Sequence, residues 1–208
     1  MSIITLNNRA LRSATAVGTT TALGAMTFIK KLTASSSATL SFVDGSSSVV
    51  LDNTYKEYLF TFNNMHPATN QVYFQFNISV DSGSNYNVAK TTTFFQGYHT
   101  ENGSDAGVSY QTSRDLAQST SFQRLSESLG NANDESLSGT LQIFNPSSTT
   151  FVKHFIARNV HAGYADYVGD GFTAGYFNTT SAIDAIQFKF ASGNTDSGTI
   201  KLYGIKDS

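Results

Sequence analysis

The chain has 208 residues, enough for one domain with a proper core and short for two. Only 13% of them are charged and the formal net charge is −2, so solubility rests on Ser, Thr and Asn, and the surface has no electrostatic footprint for nucleic acid or an acidic membrane. Cysteine and tryptophan are absent, which excludes disulfides, a thiol nucleophile and thiolate metal sites and leaves stability to the packing of 16 Phe and 10 Tyr.

Residues 1–25 stand apart from the rest: Ile3, Ile4 and Leu6 precede Arg9 and Arg12, and a Thr/Ala/Gly run follows to Ala25. A signal peptide has the same order of features, but Thr19, Thr20 and Thr21 break the apolar tract. No stretch of the chain reaches the roughly 20 apolar residues of a membrane span. The segment reads as an extended N-terminal arm for assembly or attachment, with a disordered tail as the alternative. Ile3, Ile4 and Leu6 are its apolar anchors, and Arg9 and Arg12 are its pairing partners for acidic groups on a neighbour.

From Met26 to Ser208 the hydrophobic period is two, which predicts one β-sandwich domain. Leu40 and Phe42 alternate, then Tyr58, Phe60 and Phe62. Between Val72 and Val80 the residues Val72, Phe74, Phe76, Ile78 and Val80 share one face, while Gln75, Asn77 and Ser79 take the other, the pattern of a half-buried antiparallel strand. Further strands are expected over Ala89–Tyr98, around Leu141 and Ile143, over Phe151–Arg158 and in part of Tyr164–Phe177. Residues 119–129 fit a helix through Phe122, Leu125 and Leu129, or a strand with Leu125, Glu127 and Leu129 on one side; the β surroundings favour the strand.

Ile186, Phe188 and Phe190 lead through Ala191–Asp196 to the Gly-led strand Ser197–Ile205, which reads as a closing β-hairpin. Asp44-Gly45, Asp81-Ser82-Gly83, Asn102-Gly103, Asn133-Asp134, Asn145-Pro146 and Asp170-Gly171 punctuate the strands as turns. Many short strands without βα alternation predict an all-β antiparallel sandwich of jelly-roll type. Its expected core is Phe60, Phe62, Phe74, Phe76, Ile78, Ile186, Phe188, Phe190, Ile200 and Leu202.

Chemistry-bearing patterns are few. His154 and His161 are followed by Asp166 and Asp170, but the spacing matches no zinc signature, and these two, with His66 and His99, are expected to be structural or superficial. Asp81-Ser82-Gly83-Ser84-Asn85 alternates hard oxygen ligands yet lacks the further positions of a calcium loop, so a plain turn explains it better. No nucleophile elbow or phosphate-binding glycine loop occurs, and no cofactor or metal site is expected. Tyr86, Tyr98, Tyr110, Tyr164 and Tyr167 are candidate stacking platforms for sugar rings.

Several strings carry a family resemblance. They are "ITLNNRA" (Ile4–Ala10), "TASSSATLSFVDG" (Thr33–Gly45), "LDNTYKEYLFTFNNMHPAT" (Leu51–Thr69), "SGTLQIFNPSSTTFVKHF" (Ser138–Phe155) and "SGTIKLYGI" (Ser197–Ile205). In combination they resemble virion structural proteins of marine tailed bacteriophages, cyanophages above all. The resemblance implies a virion structural protein of the tail-fibre, capsid-fibre or decoration kind, and with the missing catalytic motifs and the polar, weakly charged surface it points to a capsid decoration or tail-associated appendage subunit that is not an enzyme. The chain has no fibre-shaft repeat, which favours a compact subunit over a full tail fibre. Other virion proteins are its expected partners, in a homo-oligomer with a trimer favoured over a dimer. The alternative is a receptor- or carbohydrate-binding tip facing a host surface glycan, and a polysaccharide depolymerase ranks third.

Overall fold

The computed structural model describes residues 25–206 of the protein. They contain no helix and twelve strands: β1 (Met26–Thr33), β2 (Leu40–Val43), β3 (Glu57–Pro67), β4 (Phe74–Ser79), β5 (Lys90–Thr100), β6 (Ala106–Tyr110), β7 (Gln123–Arg124), β8 (Leu137–Phe144), β9 (Lys153–Gly163), β10 (Tyr167–Phe177), β11 (Ala185–Phe190) and β12 (Thr195–Ile205). All pairings are antiparallel. They build an eight-stranded sheet, ordered β1-β12-β3-β8-β9-β10-β5-β6, and a four-stranded sheet, ordered β2-β11-β4-β7. The chain is thus the antiparallel β-sandwich that its alternation predicts, and its first strand begins at Met26. The proposed arm, with Ile3, Ile4, Leu6, Arg9 and Arg12, lies outside the described residues.

All ten expected core residues are buried. Phe188 sits at the centre, its ring 5.4 Å from Phe60 and 5.2 Å from Phe62 across the sandwich, and 6.0 Å and 6.2 Å from Phe74 and Phe76 in its own sheet. Each buried ring is worth about 1.5–3 kcal/mol, so this cluster alone joins the sheets firmly.

The closing pair is not a hairpin. β11 pairs with β2 and β4, whereas β12 pairs with β1 and β3 in the other sheet, so residues 191–194 cross from one sheet to the other. Both strands still turn their apolar sides inward, because they face each other across the core instead of lying side by side. Asp170-Gly171 is not a turn either: both residues lie inside β10, where Asp170 is bonded to Arg158 and Gly171 packs near Phe94.

β4 is shorter than the Val72–Val80 pattern: Val80 is exposed, and Val72 is buried but makes only an isolated bridge to Leu129. Asn77 and Ser79, expected to face water, are buried under the loop after β4, and Asn77 Nδ2 donates to the carbonyls of Tyr86 (2.7 Å) and Thr120 (2.9 Å). Residues 119–129 form no helix and only a two-residue strand: Ser119 bridges Lys90, Gln123 and Arg124 pair with β4, residues 125–127 bend, and Leu129 bridges Val72, with Leu125, Glu127 and Leu129 all buried. Only Gln123 and Arg124 complete a regular ladder, because Ser126 Oγ accepts the Phe74 N–H in its place.

Candidate functional site

Alternation on an antiparallel sheet normally turns polar side chains to water. The outer face of the larger sheet breaks that rule at β9, β10, β5 and β6. Phe95, Val108, Tyr110, Ile156, Val160 and Val168, between 41% and 78% exposed, are six of the eleven exposed large hydrophobic residues among those described. Register brings them together. Arg158 lies beside Phe172, Phe172 beside Phe95, and Phe95 beside Tyr110; Ala174, Asp170 and Val168 of β10 lie beside Ile156, Val160 and Ala162 of β9.

The centre of this face is held together by side-chain contacts. The Phe95 and Phe172 rings stack at 4.8 Å and 4°, and the Arg158 guanidinium lies 4.9 Å over the Phe172 ring. Arg158 also donates in a fork to Asp170, from Nε at 3.1 Å and from Nη2 at 2.8 Å, so the two central charges cancel. Tyr110 donates its hydroxyl to Asp115 at 2.6 Å. Small residues open depressions beside these rings. One, of about 420 Å³, lies over Thr93, Ala174 and Gly175 between Ile156 and Tyr176. Another, of about 360 Å³, has Val160, Ala162 and Val168 as its floor and His99, Glu101, Ser136 and Ser138 around it.

The expected stacking tyrosines do not form one platform. Tyr110 is on the outer face, Tyr164 is exposed in the β9–β10 turn, and Tyr86 is half-buried in the loop after β4. Tyr98 and Tyr167 share the inner side of the sheet end, with the Tyr98 hydroxyl donating to Asp105 at 3.2 Å and the Tyr167 hydroxyl 3.4 Å from His161 Nε2.

The histidine–aspartate group is also divided. Seven residues is an odd interval on a strand, so His154 points outward and His161 inward on β9. Asp166 sits in the turn and Asp170 on the outer face. Burial pushes the His161 imidazole down to about 4, opposed only in part by the Asp170 charge. His161 fits because its β10 neighbour is Gly169, where a Cβ would come within 2.3 Å of the ring. His66 Nε2 lies 3.0 Å from the Ala132 carbonyl.

The Asp81 carboxylate is used up within its own turn: it accepts from Ser79 Oγ (2.7 Å) and from the Asn85 amide N–H and side chain, which hold its pKa down at about 2. Among the described residues no group of three or more His, Cys, Asp or Glu side chains is placed to hold a metal ion, and no helix is long and apolar enough to cross a membrane.

Comparison with family models, curated proteins and solved structures gave no match. The outer face itself escaped the sequence reading. Phe94-Phe95 and Phe155-Ile156 put apolar residues on both sides of a strand, which reads as a strand buried on both faces.

Proposed function

We propose that the protein is a structural subunit of a bacteriophage virion, a capsid decoration or tail-associated appendage that acts by assembly and contact and not by turnover. The observation that carries this reading is the outer face of β9, β10, β5 and β6. It is a contiguous apolar surface whose two central charges, Arg158 and Asp170, pair with each other, and monomers that work alone in water seldom expose one. The string resemblance to marine phage virion proteins supplies the particle. Other virion proteins are the partners, in a homo-oligomeric arrangement of the kind that virion symmetry favours. Mass spectrometry of particles purified from cells that express the gene tests the assignment: the protein copurifies with the particles. Its presence in the infected cell together with its absence from washed particles would overturn the assignment.

A receptor- or carbohydrate-binding tip is the second reading. It has one observation in its favour, the depression in which His99, Glu101, Ser136 and Ser138 surround an apolar floor, since sugars take hydrogen bonds at the rim and apolar contact below. Glycan-array binding that disappears on Glu101→Ala would favour this reading over the first.

A further inference from the structure

We infer that β6 is the contact through which two copies of the chain pair, edge to edge, about a two-fold axis at Val108. The backbone pattern of β6 leads there. In an antiparallel ladder, hydrogen-bonded and non-hydrogen-bonded pairs alternate. The Gln111 N–H donates to the Phe94 carbonyl and the Thr100 N–H to the Asp105 carbonyl, both at 2.9 Å, which fixes the alternation between β5 and β6. The pairs Phe95/Tyr110, Gly97/Val108 and His99/Ala106 are therefore the non-hydrogen-bonded ones. The N–H and C=O groups of Ala106, Val108 and Tyr110 point away from β5, toward the open edge of the sheet. None of them has a backbone partner among the described residues.

The other sheet edges are guarded. β1 carries Lys30 and Lys31 and a register shift between Phe28 and Lys30, β2 has four residues, and β7 has two. β6 has no charge, no proline and no bulge in its pairing with β5.

The occupant is a second copy because β6 is complementary to itself. The three residues with outward-facing backbone groups are symmetric about Val108. A two-fold axis there sets Ala106 against Tyr110 of the second copy, Val108 against Val108, and Tyr110 against Ala106, and it uses the six free groups of each copy in six hydrogen bonds between them. On the outer face a small side chain then meets a large one at each end, and the two apolar surfaces join into one strip through Phe95, Tyr110 and Val108. An isologous contact closes on itself, so it builds a dimer and not the trimer that the sequence favoured. The pairing stands or falls apart from the virion reading, because it is measured on the isolated protein.

Sedimentation and cysteine cross-linking test it. The wild type associates with rising concentration to twice the 22.4 kDa of one chain. The chain has no cysteine, so Val108→Cys is a unique probe. Its two Cα atoms would lie about 5.5 Å apart, within disulfide reach, and oxidation links the dimer, whereas Lys31→Cys on the opposite edge stays unlinked. Val108→Pro removes an N–H that β5 does not use, and Val108→Lys, at a position 78% exposed, sets two like charges face to face; either returns the protein to the single-chain mass. Three results would each overturn the inference: a wild type that sediments as one chain at every concentration, Val108→Cys linking no more than Lys31→Cys, or a Val108→Lys protein that still dimerises.

Discussion

His161 shows how one side chain ties the interior to solution conditions. Its ring is buried on the inner face of β9, its Nδ1 has no hydrogen-bond partner among the described residues, and its pKa falls from the usual 6.5 to about 4. Between those values the unfolded chain binds a proton that the folded chain does not, so stability falls as pH drops from 6.5 to 4, by roughly 3 kcal/mol if this group acts alone. Lys90 has the same sign at higher pH: its buried amine, which donates to the Ser121 carbonyl at 2.6 Å, is pushed down to about 7, so stability rises with pH above neutrality. Urea denaturation at pH 7 and pH 4 should show the wild type losing more stability on acidification than His161→Phe. Equal losses in the two proteins would mean that the ring is protonated without cost.

At the scale of elements, the Gly-led end of β12 makes the sharpest stability prediction. Gly198 has φ +122°, and a Cβ there would lie 2.7 Å from the Asn64 carbonyl oxygen and 2.8 Å from Met65 Cα, so β12 can shift register against β3 only with glycine at this point. Gly198→Ala should cost about 2 kcal/mol or more, while Gly45→Ala, at φ +72° in open space, costs about 1 kcal/mol. Denaturation midpoints that fall equally in the two variants would contradict this. Alternation made the core strands legible, because Phe74, Phe76, Ile78 and Phe188 each leave one face for the interior. It did not reveal that β11 and β12 part into different sheets, since a hairpin and a sheet-to-sheet crossing bury the same residues. β6 went unseen because Ala106-Gly107-Val108-Ser109-Tyr110 offers only two large apolar side chains between turn residues.

For the whole molecule, the sandwich presents two kinds of surface. Most of it is polar and weakly charged, as the composition implies, and one side of the larger sheet is apolar and stiffened by the Phe95–Phe172 stack and the Arg158–Asp170 pair. That face was illegible in the sequence because its residues look like core until the sheet topology shows that no second layer among the described residues covers them. Residues 1–24 of the arm that the sequence placed at 1–25 lie outside the described residues, and the apolar surface described is that of the folded body. The double substitution Ile156→Ser/Val160→Ser changes two exposed side chains and should leave stability within about 1 kcal/mol of the wild type. Incorporation of this variant into purified particles, scored beside its thermal melt, is the most direct measurement. Contact through the outer face predicts a normally folded protein that is lost from the particles, and a variant incorporated as well as the wild type would contradict it.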